Sequence, residues 1–457
     1  MNIDVVILAA GKGSRMKSQL PKVLQPLAGR PLLAHVLETA NALDDVRCHI
    51  VIGHGAEQVK AAFAGKSISW ITQQEQKGTG HAVMMAASEL DLQGITLVLY
   101  GDVPLVKVET LQNLLGRVDD NNMALLTVEL VKPSGYGRIV RDEAGKVIAI
   151  VEEKDATTAQ KSINEVNTGI LAIKTSQLLA LLPQLSDNNA QKEYYLTDVI
   201  ALSVANGVAV NCLCIQDETE VQGVNDKKQL MQLERAYQQI QANRLMDEGV
   251  TLADASRLDI RGELTTGQDV FIDINCVFSG KVTLGNNVSI GPNCVIGEKG
   301  KQVFIGNHVE IKANSIIEEA QIAEGCVIGP YARLRPGTVL AADAKIGNFV
   351  ETKKANIGKG SKVNHLTYIG DADIGEAVNI GAGTITCNYD GVNKFKTIIE
   401  DGAFIGSNTS LVAPVKVGKA ATVGAGSTIN KDVDDEALAV ARARQKNIEG
   451  WQRPVKK

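Results

Sequence analysis

Aromatic residues are scarce in this chain: Phe, Trp and Tyr make up 4% of its 457 residues. So few large rings suit a narrow β-coil filled by Val, Ile and Ala. No apolar run approaches the roughly 20 residues a membrane-spanning helix needs, so no span is expected. The N-terminus lacks a basic leader segment. Met1-Asn2-Ile3-Asp4 leads into a six-residue apolar run that reads as a first β-strand and not as a secretory signal. CxxC pairs are absent. The 7 cysteines are widely spread, mostly in apolar strand patterns such as Cys294-Val295-Ile296, with Cys212 and Cys214 alternating along one strand. This predicts reduced, buried thiols and a cytoplasmic protein. The formal charge is −5 and no stretch is basic enough to suggest a nucleic-acid partner. The end, from Arg442-Ala443-Arg444-Gln445-Lys446 to Lys457, is nevertheless basic. It reads either as a solvated tail or as a grip on phosphates.

What the chain has in abundance is a six-residue repeat. From about residue 280 an aliphatic residue followed by glycine keeps returning: Leu284-Gly285, Ile290-Gly291, Ile296-Gly297, Ile305-Gly306, Ile328-Gly329, Ile346-Gly347, and on to Val423-Gly424. This period fits neither a helix nor a free-standing strand. It fits a coil of short strands and tight turns whose aliphatic residues stack inward on the next coil. Glycine permits the turn conformation. Lys299–Lys301 reads as an insertion that breaks the phase. The repeat region spans 250–457, including the basic tail.

Length alone suggests two domains. Residues 1–227 alternate strand-like and helix-like segments. Strands are expected at Val5–Ala10, His49–Ile52, Ile95–Tyr100, Ala124–Val128 and Gly169–Ile173, with helices such as Thr79–Leu90 and Glu193–Ala205 between them. The alternation predicts an α/β doubly wound, Rossmann-like fold with a mainly parallel sheet. Residues 228–249 read as a linker helix, with Leu230, Leu233, Tyr237 and Ile240 as its apolar stripe.

The first strand runs into Gly11-Lys12-Gly13-Ser14-Arg15-Met16, then Leu20-Pro21-Lys22. A glycine turn after a first strand offers backbone N–H groups to phosphate oxygens. It is not a dinucleotide fingerprint, since Met16 stands at the third glycine position, and GxxxxGK[ST] is absent. Arg15 and Lys22 close behind it suit a polyphosphate whose charge must be neutralised. Tyr100-Gly101-Asp102 closes another strand, where open parallel sheets bind ligands. Asp102 there reads as a magnesium ligand, or as a helix N-cap.

Leu8-Ala9-Ala10-Gly11-Lys12-Gly13-Ser14-Arg15-Met16 followed by Leu20-Pro21-Lys22 resembles the sugar-phosphate nucleotidyltransferase signature. Joined to hexapeptide repeats, and with the runs Asn364–Gly370 and Gly381–Gly391, the whole chain resembles the family of bacterial bifunctional N-acetylglucosamine-1-phosphate uridylyltransferase / glucosamine-1-phosphate N-acetyltransferase enzymes. Ser14 stands where many members carry threonine. The resemblance implies a left-handed parallel β-helix, a homotrimer, Mg²⁺, and UTP and acetyl-CoA as co-substrates. It assigns Leu8, Ala9, Ala10 and Gly11 to the nucleotide, Arg15 and Lys22 to the phosphates, and Gln73, Gly78 and Thr79 to the uracil. Tyr100, Gly101 and Asp102 would meet sugar, nucleotide and metal. Gly137, Glu152 and Asn167 would hold the sugar, and Asn225 would join Asp102 on Mg²⁺. Gly137 and Asn167 also read as turn residues, and Glu152 as part of a solvated face.

The repeat region holds two histidines, His308 and His365, too few for the three zinc ligands of a hexapeptide carbonic anhydrase. His365 reads as the general base of an acyl transfer, with Glu351 to orient it, and His308 as a coil corner. The resemblance places the sugar phosphate against Arg335, Lys353, Tyr368, Asn379 and Lys394, and acetyl-CoA against Ala382, Asn388, Tyr389, Ser407, Ala425 and Arg442. Ala382 and Ala425 also read as simple core packing. Two alternatives stand beside the bifunctional reading: a monofunctional sugar nucleotidyltransferase on a structural β-helix, and a non-catalytic trimeric scaffold. His365, the Asn388-Tyr389 loop and the basic tail speak against the first, and Gly11–Lys22 with Asp102 against the second.

Overall fold

The apolar run after Asp4 forms the centre of a sheet. The computed structural model describes residues 2–456. The chain divides into two compact units, Met1–Tyr237 and Gln238–Lys457.

In the first unit the strand Ile3–Ala9 lies between Val46–Ile52 and Ile95–Tyr100, parallel to both, with Ile7 opposite Ile50 and Leu99. The order across the main sheet is Ala209–Ile215, Asn122–Glu129, Glu165–Lys174, Ile95–Tyr100, Ile3–Ala9, Val46–Ile52, Ser69–Thr72. Both faces are apolar because both are covered. Val5, Ile7, Leu97 and Leu99 pack with Leu33 and Leu37 of helix Leu32–Asn41. Val6, Leu8 and Val98 pack with Val83 and Ala86 of helix Thr79–Ala86. The sheet is mainly parallel, as expected; along this order only Glu165–Lys174 runs antiparallel to its neighbours. One expectation is corrected. The helix expected from Glu193 begins at Asp198. Residues before it are drawn into another pairing: Tyr194 N–H donates to Lys77 O and Tyr194 O accepts from Gly80 N–H, each at 2.8 Å. A hairpin, Arg138–Arg141 with Val147–Val151, projects from this sheet.

Helix Lys227–Asp247 contributes to both cores. Leu233 is buried with Met16, Leu27 and Leu32, with Leu230 and Tyr237 against them. Further along, Ala242 and Leu245 enter the core of the second unit. Ile240, expected in the stripe, is 43% exposed. Gln238 is buried instead, its amide bonded to the Ile260 backbone at 2.7 and 2.9 Å.

The second unit is a parallel β-helix. Ile272, Ile290, Ile311, Ile328, Ile346, Val363, Ile380, Ile405 and Val423 form one in-register ladder. All nine are buried, so each coil closes the end of the next. Ile272 to Ile290 spans 18 residues, one coil of three hexads, whereas Ile290 to Ile311 spans 21, which locates the Lys299–Lys301 insertion. Ile380 to Ile405 spans 25 and accommodates an excursion at Asn388–Phe395. His308 sits at a corner with φ 57°. At a different position, inside the strand Cys276–Leu284, Gly280 has φ 69°, and a Cβ there would lie 2.1 Å from Glu298 O. All seven cysteines are free. Cys276, Cys294 and Cys326 are buried, whereas Cys214, against expectation, is exposed on its edge strand.

Two candidate active sites

The first site begins where the central strand ends. Gly13 turns with φ 58°, and a Cβ on it would lie 2.7 Å from Lys22 Cβ, so the glycine lets Lys22 close on the loop. Met16 is buried and anchors the Ser14–Met16 turn. From this turn Arg15 Nη2 donates to Asn225 Oδ1 at 2.9 Å. Lys22 Nζ lies against Asp102 Oδ2 in an ion pair and reaches Asn225 Oδ1 at 3.4 Å. Asp102 arrives on Gly101, whose N–H donates to Leu8 O at 3.0 Å and which has little room for a side chain: a Cβ would meet Val23 at 3.2 Å. The Asp102 carbonyl accepts from Val224 N–H at 3.0 Å and so fixes the segment bearing Asn225. The N-cap reading of Asp102 fails, because the next helix starts at Val108 and the carboxylate is turned to Lys22. Two hard oxygens, Asp102 Oδ2 and Asn225 Oδ1, converge on one cation, which is the donor set a magnesium ion takes.

Around this cluster lies a cleft of about 400 Å³, lined by Leu8, Ala9, Ala10, Gly11, Lys22, Gln73, Gly78, Thr79, Tyr100, Asp102 and Asn225. Gln76, Glu193, Val23 and Ala82 also line it and went unnoticed in the sequence. Glu193 is brought in by the Tyr194 pairing, which no local pattern announces.

Gly137 neighbours both Glu152 and Asn167. Asn167 N–H donates to Gly137 O at 2.9 Å, and a Cβ on Gly137 would lie 3.4 Å from Glu152 Oε1. Glu152 Oε1 accepts from Thr197 Oγ1 at 3.1 Å. Burial raises the Glu152 carboxyl above its usual range, with Asp155 and Asp198 adding to the effect. It is therefore not part of a solvated face. Burial also drives the Tyr100 phenol well above its ordinary value, and the charges of Glu152 and Asp102 push the same way. Tyr100 thus links this trio to Asp102. Its ring lies on Gly169, where a Cβ would come within 2.4 Å of it.

The second site follows one corner of the β-helix. Asn348 pairs in register with His365. On the following coils the carbonyls of His365, Ala382 and Ser407 accept from Gly383, Asn408 and Gly426 N–H. Asn348, His365, Ala382, Ser407 and Ala425 therefore form one column, open beyond the histidine because its members are small. His365 Nδ1 lies 2.7 Å from Asn348 Oδ1. Glu351, expected to orient His365, instead pairs with Arg335 at 2.8 Å. The correction has a simple cause: Glu351 stacks in register on Tyr368, three residues along the coil from His365.

Arg335, Lys353 and Lys394 gather their charges beside Tyr368. Lys353 is held below the usual lysine value, first by contact with Lys394 and then by Arg335. Lys394 is carried by the Asn388–Phe395 excursion, where it bridges to Tyr389. Asn388 ties that excursion down through Asp371. Asn379 lies on the 11-stranded sheet, away from this cationic group on the 15-stranded one. Arg442 Nη1 donates to Ala425 O at 2.7 Å, which fixes the start of the basic tail at the column's end. The residues from there to 456 are largely exposed.

Known families cover both units. The MobA-like NTP transferase domain matches residues 5–158. The GMPPB C-terminal domain matches residues 266–353, and the bacterial transferase hexapeptide (six repeats) matches 396–431. The chain is 59% identical over 454 residues to the bifunctional protein GlmU of Marinobacter nauticus, covering 99% of each. It is 59% identical to that of Cellvibrio japonicus over the full length of both, and 56% identical to that of Pseudomonas entomophila, covering 100% of this chain and 99% of the relative. The chain belongs to the bifunctional GlmU family.

Proposed function

We infer that this bifunctional transferase makes UDP-N-acetylglucosamine in two steps at two separate sites. The observation that carries the reading is the pairing of His365 with Asn348 at the head of a small-residue column, in a unit distinct from the one that holds Arg15, Lys22, Asp102 and Asn225. A β-helix serving only as scaffold has no use for an exposed, oriented imidazole and a cluster of three cations on the same unit.

In the acetyl transfer, Arg335, Lys353 and Lys394 hold the phosphate of glucosamine-1-phosphate. With Nδ1–H donated to Asn348 Oδ1, His365 presents the Nε2 lone pair. Nε2 takes a proton from the amine as its nitrogen attacks the acetyl-CoA thioester. A C–N bond forms, the C–S bond breaks, and the thiol leaves with a proton. Such a base contributes roughly 10²–10⁴ in rate. Ala382, Ser407 and Ala425 line the pantetheine arm, with Asn388 and Tyr389 beside it, and Arg442 meets the CoA phosphates. Tyr368 completes the sugar-phosphate contacts.

In the uridylyl transfer, a phosphate oxygen of N-acetylglucosamine-1-phosphate attacks the α-phosphorus of UTP and pyrophosphate leaves. Most of the catalysis is positioning and charge neutralisation. Arg15 and Lys22 meet the polyphosphate, and Gln73 with Gly78 and Thr79 reads the base. Gly137, Glu152 and Asn167 hold the sugar. Asp102 and Asn225 would hold Mg²⁺, which supplies further positive charge against the phosphates. We also place the protein in the cytoplasm as a homotrimer. No helix among the described residues is long and apolar enough to cross a membrane.

The test measures the two reactions separately in His365→Ala and Asp102→Ala. Loss of thiol release in the first with uridylyl transfer intact, and the reverse in the second, is the expected outcome. Absence of thiol release from folded wild-type protein would overturn the acetyl-transfer step.

A further inference from the structure

Gln73 lies in the cleft and is 3% exposed. Its main chain is fixed, since its N–H donates to Ile52 O at 2.8 Å. Its side-chain Nε2 faces two partners, Gly78 O at 3.2 Å and His81 Nδ1 at 3.0 Å. A carbonyl only accepts, so the amide must point Nε2 at Gly78; turned about, two oxygens would face each other. With Nε2 in that position, His81 Nδ1 must offer a lone pair, and the ring is the Nε2–H tautomer. Both Nε2 protons are then consumed. Oε1 alone is left for a ligand, and Oε1 can only accept.

Beside it lies the N-terminus of helix Thr79–Ala86. The first N–H groups of a helix have no acceptor within it, so Gly78 and Thr79 present donors on the same wall of the cleft. An acceptor next to donors complements the N3–H and O4 edge of uracil. Cytosine presents the opposite pattern, a bare N3 and an N4 amino group.

We propose that His81 is a positioning residue that makes this site select uracil over cytosine, by accepting a hydrogen bond from Gln73 Nε2 and so leaving only Oε1 toward the base. Gly78 O holds one proton of the amide, and His81 holds the other and with it the plane of the group. Without His81 the second Nε2 proton is free, the amide rotates, and a donor can reach the bare N3 of cytosine. The proposal rests on the reading that Gln73 contacts the base.

The experiment compares UTP with CTP as nucleotidyl donor to N-acetylglucosamine-1-phosphate, as the ratio of kcat/KM, in wild type and variants. His81→Ala and His81→Lys, which remove the acceptor, are expected to lower the UTP/CTP ratio about 10-fold or more. The KM for the sugar phosphate should stay unchanged. His81→Asn, whose amide oxygen can accept from Gln73, should keep most of the ratio. Equal loss with both nucleotides, or an unchanged ratio in His81→Ala and His81→Lys, would overturn the proposal. Gln73→Ala separates the two levels. A wild-type ratio in that variant means Gln73 does not read the base. A collapsed ratio there, with His81→Ala at wild type, removes the positioning role alone.

Discussion

His365 Nδ1 and Asn348 Oδ1 lie 2.7 Å apart on successive coils, in register. An amide oxygen accepts without carrying charge, so it selects the Nδ1–H tautomer and leaves Nε2 as a base. Removing it leaves the ring free to turn and to take the wrong tautomer. Asn348→Ala is expected to lower kcat for acetyl transfer roughly 10- to 100-fold, a part of the roughly 10²–10⁴ that a general base supplies. Uridylyl transfer should be unaffected. Thiol release under saturating substrates checks this, and a wild-type kcat would remove Asn348 from the mechanism.

The cationic group beside Tyr368 gives a pH signature. Lys353 is held below its ordinary value because Lys394 and Arg335 repel its charged form. It therefore loses its proton at lower pH than an ordinary lysine, and phosphate affinity falls on the alkaline side. Lys394→Met removes the first of these repulsions. The alkaline limb of kcat/KM for glucosamine-1-phosphate should then move to higher pH, even though the absolute value falls with the lost cation. A limb that stays in place means that another group sets it.

Much of this arrangement could be read from the residues. The aliphatic ladder needed only its period, and every member quoted from it is buried. The glycine loop and Asp102 were legible because each follows directly from a strand end. Three things were not. Strand direction leaves no mark in composition, so the one antiparallel strand of the main order, Glu165–Lys174, could not be singled out. The partner of His365 is an amide 17 residues away on the previous coil, where the carboxylate of Glu351 was expected. The stripe of helix Lys227–Asp247 changes face where its second half enters another core, so Ile240 is exposed and Gln238 buried.

Glu152 ties function to stability. Burial raises its carboxyl above the usual carboxylate range, while Thr197 offsets part of the shift. The folded state therefore keeps this proton to higher pH than the unfolded chain does. Stability is full below the unfolded value, is lost as pH rises through the folded one, and stays reduced at neutral pH. Glu152→Gln removes the charge and keeps an oxygen that Thr197 can still bond. The variant should melt higher than wild type at pH 7–8 and match it near pH 4, while its KM for N-acetylglucosamine-1-phosphate rises. Melting scans at the two pH values decide the point. A lower melting temperature at neutral pH would show that the carboxylate stabilises the fold.

Two glycines of the β-helix separate backbone conformation from crowding. Gly297 has φ 88°, and a Cβ on it would lie 1.9 Å from Ser279 O and 3.0 Å from Val282. Gly300 has φ 75°, but a Cβ there would meet nothing within 4 Å. Alanine at Gly300 should cost only the left-handed backbone penalty, about 1–2 kcal/mol. Alanine at Gly297 carries the same penalty and must also push one coil away from the next, which breaks stacking that every later coil inherits. A total above about 4 kcal/mol is expected, in the range that marks a specific structural clash. Because the first unit has its own core, uridylyl transfer by Gly297→Ala should survive while thiol release falls. Denaturant unfolding followed on the two variants would settle it. Equal losses at Gly297 and Gly300 would mean that the coils relax around the added methyl group and that conformation alone sets the cost.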